Sequence, residues 1–184
     1  KVEAIPFWRL RGAALAAAAA APSQSPWQRW LGSRLGSRLE SALGPGSTAY
    51  RTERCEELDE RWDALFEHTA DSFGLLAERR AENLSWRYLQ RPGFEYQIYG
   101  AFRRRELVAW GVFRRRGEVL VWGDALARRS HSAALQGVLR AALRSPLGEG
   151  VTAVEGWFSP RPRWWIEAIR ELGFERQPEP QGLD

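Results

Sequence analysis

Three apolar segments in close succession constrain this chain more than any other feature. Tyr96–Phe102, Leu107–Phe113 and Val119–Ala127 are short and rich in β-branched and aromatic residues. Only Arg103-Arg104-Arg105-Glu106 and Arg114-Arg115-Arg116-Gly117 separate them. Segments of that kind read as strands, and connections that short join antiparallel neighbours. The centre of the fold is therefore an antiparallel meander. Successive turns of a meander lie at opposite ends of the sheet, so the two arginine triplets do not form one patch.

Helical spacing surrounds the meander. Asp59 is a candidate N-cap, and Trp62, Leu65, Phe66, Thr69 and Phe73 follow at helical intervals. Leu75–Gln90 reads as a second helix, stopped by Pro92-Gly93. Beyond the meander, Ser132–Ser145 places Leu135, Val138, Leu139, Ala142 and Leu143 on one side. Pro162–Leu172 is a last helix, closed by Gly173. Arg51–Leu58 and Val151–Phe158 read as further strands, and Phe174 begins another that Pro178 and Pro180 cut short. The elements imply an α+β fold in α/β three-layer form. Its sheet is mixed and mostly antiparallel, with about six strands flanked by helices.

Residues 1–46 differ from the remainder. They carry six basic and two acidic groups, whereas residues 47–184 carry 21 of each. The formal charge of +4 thus sits on the first segment, and the folded part is neutral. All the basic residues but Lys1 are Arg, a pattern of genome composition rather than of phosphate recognition, so nucleic acid is not the expected partner. Ala13–Ala21 suits a short helix. Leu31, Leu35, Leu39 and Leu43 would share one helical face, and Gly44-Pro45-Gly46 ends it. Residues 1–46 accordingly read as a basic linker or arm with short helices, and 47–184 as the domain. There is no Met, even at position 1. That marks a processed or internal segment, or methionines left unwritten, which would shift tight spacings by one.

Several functions lack their residues. One cysteine, Cys55, cannot build a disulfide framework, and two histidines with one cysteine do not make a structural zinc site. Gly-x-Ser-x-Gly, Gly-x-Gly-x-x-Gly and P-loop motifs are missing. No apolar run reaches the roughly 20 residues of a membrane span, and the expected location is cytoplasmic.

The order of elements is strand, two helices, three antiparallel strands, helix, strand, helix and the start of a strand. That order, with Leu172-Gly173-Phe174 after the last helix, resembles the GNAT N-acetyltransferase superfamily over residues 50–184. The resemblance implies an acyl-CoA-dependent N-acyltransferase: acetyl-CoA or another acyl-CoA, no metal, and a small-molecule or protein amine as acceptor. It places Asp124, Ala125, Leu126 and Ala127 along the pantetheine and Arg128, Arg129, Ser130, His131, Ser132 and Ala133 at the phosphates. Free backbone N–H groups and a helix start stabilise such an anion. Asp124, His131 and Glu155 are the candidate bases, Asp124 following Trp122-Gly123, where a bulge is expected. The arm further suggests a preceding domain of a tandem protein, or a homo-oligomer.

Two positions depart from the family pattern. Its loop reads Gln/Arg-x-x-Gly-x-Gly/Ala, but counting from Arg128 the glycine position holds His131. Its frequent acid, a Tyr three residues before Leu-Gly-Phe, is Ile169 here. A catalytically degenerate domain of the same fold, packing against another domain or binding a substrate, is therefore the alternative.

Overall fold

The computed structural model describes residues 5–20, 50–74 and 76–178. Its strands are β1 (Phe7–Arg11), β2 (Arg51–Cys55), β3 (Gln97–Arg103), β4 (Glu106–Arg116), β5 (Val119–Ala127), β6 (Ala153–Trp157) and β7 (Glu175–Gln177). Its α-helices are α1 (Gly12–Ala19), α2 (Glu60–Phe73), α3 (Ala81–Leu84), α4 (Ala134–Arg144) and α5 (Arg163–Glu171). The seven strands form one sheet in the order β2-β3-β4-β5-β6-β1-β7. Only β5 and β6 pair in parallel, and every other ladder is antiparallel. The architecture is a mixed α+β sheet covered by helices.

The expected meander is present, and β5 has the bounds read from its sequence. α2 begins where Asp59 accepts a hydrogen bond from the Arg61 N–H at 3.0 Å. The second helix is shorter than expected. It starts at Ala81, whose N–H donates to Asp63 at 2.8 Å, and passes into a π-helical turn, Ser85–Leu89. Residues 76–80 carry no helix, and from this stretch Arg79 and Arg80 reach Asp124 and Glu67.

Each face of the sheet carries its own core. One gathers Trp62, Leu65, Leu84 and Tyr88 of α2 and the α3 region against Ile98, Phe102, Trp110 and Leu126. The other packs α4 and α5 against β1 and β3 to β6, around Phe113, Trp122, Phe158, Trp165 and Phe174. Burial of this much apolar surface is the main force holding the layers together.

Residues 7–19, within the segment that the sequence set apart as an arm, lie in this domain. β1 runs between β6 and β7, with Arg9 opposite both Glu155 and Glu175. Phe7, Trp8 and Leu10 are buried, so the strand is covered on both faces. α1 packs beside α4, where the Arg144 guanidinium donates to the Ala19 carbonyl at 3.0 Å. Gly173 ends α5 at φ +90°, the left-handed region that favours glycine. A Cβ there would also meet Ala14 of α1 at 3.0 Å. The Leu31–Leu43 repeat and the last residues, 181–184, lie outside the described residues.

Candidate functional site

The parallel ladder between β5 and β6 is short. It runs from Val119 opposite Ala153 to Trp122 opposite Gly156, while β5 continues to Ala127. From Gly123 onward, β5 keeps β4 on one edge and, among the described residues, has no strand on the other. The register of β4 and β5 shifts between Val112 and Phe113, so Gly123 is the extra residue of a β-bulge. The Trp122 indole N–H closes the bulge on the Asp124 carbonyl at 3.1 Å. Gly111 makes room for that ring, since a Cβ there would come within 2.7 Å of the indole nitrogen.

The bulge fixes which backbone groups face the gap. The Arg128 N–H donates to the Val108 carbonyl at 2.9 Å. By the alternation of an antiparallel pair, Ala125 and Ala127 therefore point their N–H groups away from β4, toward the unpaired edge. The Ala125 N–H is already taken by Asp124 Oδ1 at 2.9 Å.

Asp124 is the centre of a polar cluster on the α2 face. Arg79 Nε donates to Oδ1 at 3.0 Å, and the Tyr88 hydroxyl donates to Oδ2 at 3.1 Å. The carboxylate is 9% exposed. Burial, followed by the Asp124 charge, pushes the Tyr88 phenol well above its ordinary pKa, so it stays protonated.

The other two candidate bases stand apart from this cluster. Glu155 on β6 is 5% exposed, and guanidiniums occupy both its oxygens: Arg9 at 3.2 Å on Oε1 and Arg116 at 2.8 Å on Oε2. Its visible work is to bind β1 to the sheet. His131 lies beyond β5 in a short 3-10 turn, Arg129–His131, with Nδ1 3.3 Å from the Tyr50 hydroxyl. Partial burial, then the charges of Arg103 and Arg128, lower its pKa, so the ring is neutral at pH 7. Among the described residues, no hydrogen bond links Asp124, Glu155 and His131.

The loop Arg128–Ala133 leads directly into α4, and no side chain caps that helix. Arg129, Ser130 and Ala133 are exposed there, Ser132 is half-buried, and Arg128 reaches Glu106 at 3.3 Å. Arg128 Nε is buried without a hydrogen-bond partner. Of the expected pantetheine contacts, Ala125, Leu126 and Ala127 have buried side chains. Ile169 is fully buried in the core and has no part in proton transfer.

A cleft of about 610 Å³ opens between the end of α2 and the start of α5, with Asp71, Phe73, Pro160, Arg161 and Ile166 on its walls. Phe73 meets Trp164 and Trp165 edge-on at 5.3 and 5.6 Å, so aromatic rings line the junction of the two helices. Among the described residues, no group of His, Cys, Asp and Glu is arranged to hold a metal. No helix among them is long and apolar enough to cross a membrane.

Arg79 and Tyr88 are the residues that sequence reasoning did not assign to the site. Nothing in the spacing ties either residue to Asp124.

No family model matches this chain, and no curated protein matches it. Solved structures are similar to it over most of its length. A functionally unknown conserved protein from Staphylococcus epidermidis ATCC 12228 aligns over 94% of this chain with a TM-score of 0.56 and 8% identity. A GCN5-related N-acetyltransferase from Kribbella flavida aligns over 95%, with a TM-score of 0.47 and 13% identity. A tandem GNAT protein from the clavulanic acid biosynthesis pathway aligns over 93%, with a TM-score of 0.47 and 14% identity. The chain spans 57%, 55% and 49% of those three chains, respectively.

Proposed function

We propose that this chain is a GNAT-type domain that transfers an acyl group from acyl-CoA to an amine. One observation carries the reading: β5 bulges at Gly123, loses its parallel partner, and runs with an unpaired edge into the uncapped start of α4 beside Arg128 and Arg129. An extended ligand arm can lie along such an edge as a strand would, with its phosphates at the helix start.

The residues present suit acyl-CoA as substrate. Arg128 and Arg129 supply guanidiniums for the pyrophosphate, and the Ala127 N–H supplies a donor for the arm; the Ala125 N–H would serve the thioester carbonyl only by exchanging Asp124 Oδ1 for it. In the transfer, the amine nitrogen bonds to the carbonyl carbon, the C–S bond breaks, and an amide and a thiol result. The amine proton goes to Asp124, and Tyr88, hydrogen-bonded to it, returns a proton to the departing thiolate. Glu155 and His131 are the other candidate bases: Arg9 and Arg116 hold the first beside β1, and the second faces Tyr50. The acceptor would enter through the cleft at Phe73 and Ile166. Acyl-CoA supply places the reaction in the cytoplasm, and a second domain would complete the protein.

One observation favours the alternative, a degenerate domain. Asp124 Oδ1 occupies the Ala125 N–H, and His131 stands where a phosphate loop is best served by glycine. Titrating acetyl-CoA into the purified chain in a calorimeter separates the two. A saturable Kd of about 100 µM or tighter supports transfer, and no heat at about 1 mM leaves the degenerate reading.

A further inference from the structure

We propose that the β3–β4 turn recognises a phosphate monoester, and that it selects acyl donors carrying the 3′-phosphate of an intact coenzyme A. The inference rests on the acyl-CoA reading above. An acyl-CoA carries its anionic charge at two places, the pyrophosphate and the 3′-phosphate of the ribose. The loop that opens α4 answers the first.

The β3–β4 turn stands beside that loop. Its Glu106 accepts from Arg128 at 3.3 Å, and the Arg128 backbone is bonded to Val108 of the same hairpin. The field of Arg103 reaches His131 in the loop. Arg103, Arg104, Arg105, Arg128 and Arg129 therefore gather at one end of the sheet with Glu106, which Arg128 already engages. Arg103, Arg104, Arg105 and Arg129 are exposed and make no ion pair among the described residues.

The turn's conformation points the same way. Arg104 sits at φ +57° and is the only non-glycine residue with positive φ among those described. Asn or Gly adopts that conformation at lower cost in a tight hairpin. The turn thus carries three exposed arginines in succession, one of them in a conformation that costs arginine more than glycine. Guanidiniums match a phosphate monoester by paired, charge-assisted hydrogen bonds. Acyl groups presented on pantetheine alone, without the nucleotide, offer this turn nothing to hold.

The test is calorimetry on the full chain with three donors: acetyl-CoA, 3′-dephospho-acetyl-CoA and acetyl-pantetheine. For the natural sequence, removing the 3′-phosphate should weaken binding about 10-fold, and removing the whole nucleotide should weaken it further. The variant Arg103→Ser, Arg104→Asn, Arg105→Ser should bind acetyl-CoA about 10-fold more weakly and 3′-dephospho-acetyl-CoA as before. Equal affinity of the natural chain for acetyl-CoA and its 3′-dephospho form overturns this inference and leaves the acyl-CoA reading intact. No binding of acetyl-CoA removes both. If the variant does not fold, the donor comparison on the natural chain still decides.

Discussion

The two edges of β6 are built in opposite ways. Toward β1, five residues pair in an unbroken antiparallel ladder from Phe7 opposite Trp157 to Arg11 opposite Ala153. The buried Phe7, Trp8 and Leu10 and the Arg9–Glu155 pair reinforce it. Toward β5, four residues pair and the strands then part at a bulge. One edge is sealed by apolar burial and charge. Along the other, β5 runs on past its last pair with β6 toward a helix start, with no strand beside it among the described residues. The difference teaches where the fold invests its rigidity: β1 anchors β6 on its outer side, so the gap on its inner side can stay open.

The sharpest way to break this contrast is to unseal the closed edge. Leu10→Asp puts a charge into a fully buried position and should cost about 4 kcal/mol or more in urea unfolding. An unchanged midpoint would mean that β1 contributes nothing to the sheet. On the open edge, Asp124→Asn keeps the shape but removes the base, and should slow amine-dependent thiol release from acetyl-CoA about 100-fold. Undiminished release would take Asp124 out of the mechanism. Glu155→Ala tests the charged half of the seal. Its partners Arg9 and Arg116 are 35% and 42% exposed and can turn to water, so the cost should be about 2 kcal/mol. A loss of transfer without a loss of stability would instead make Glu155 part of the chemistry.

The smallest effect lies far from both edges. Burial raises the Cys55 thiol from 9.0 to about 11. Its folded pKa is above the unfolded value, so its contribution to stability is complete below pH 9.0 and is lost as pH rises toward about 11. Cys55→Ala should flatten that part of the stability profile, on top of a pH-independent loss from its buried packing. The native thiol should also resist iodoacetamide at pH 8 until the chain unfolds.

Local signals carried the meander and its neighbours. β5 was legible to the residue because alternation and turn-length arginine stretches bound it, and α2 because Asp59 caps a run of regular spacing. β1 was not. Phe-Trp-Arg-Leu-Arg beside an alanine run has no partner nearby in sequence, and its burial comes from β6 and β7 at the far end of the chain. The site divides in the same way. The Gly123 bulge and Asp124 were visible from Trp122-Gly123-Asp124. Arg79 and Tyr88 meet Asp124 from a stretch that lies beyond the end of α2 at Phe73 and runs into the helix that starts at Ala81. Likewise, alternate turns of a meander were enough to separate the two arginine triplets, but not to show that the first stands beside Arg128.

The insertion of β1 also orders events during synthesis. Phe7–Arg11 is made well before β6 and β7, the only strands that pair with it. Until they emerge, its tryptophan and leucine have no sheet to enter, and β7, which pairs with β1 alone, has no place either. Closing two strands around one from the opposite end of the chain is a late, non-local step of the kind that slows folding. The nascent chain therefore carries a sticky, unpaired strand from the synthesis of β1 until that of β6, and a chaperone that shields such strands has its opportunity at Trp8 and Leu10 during that interval.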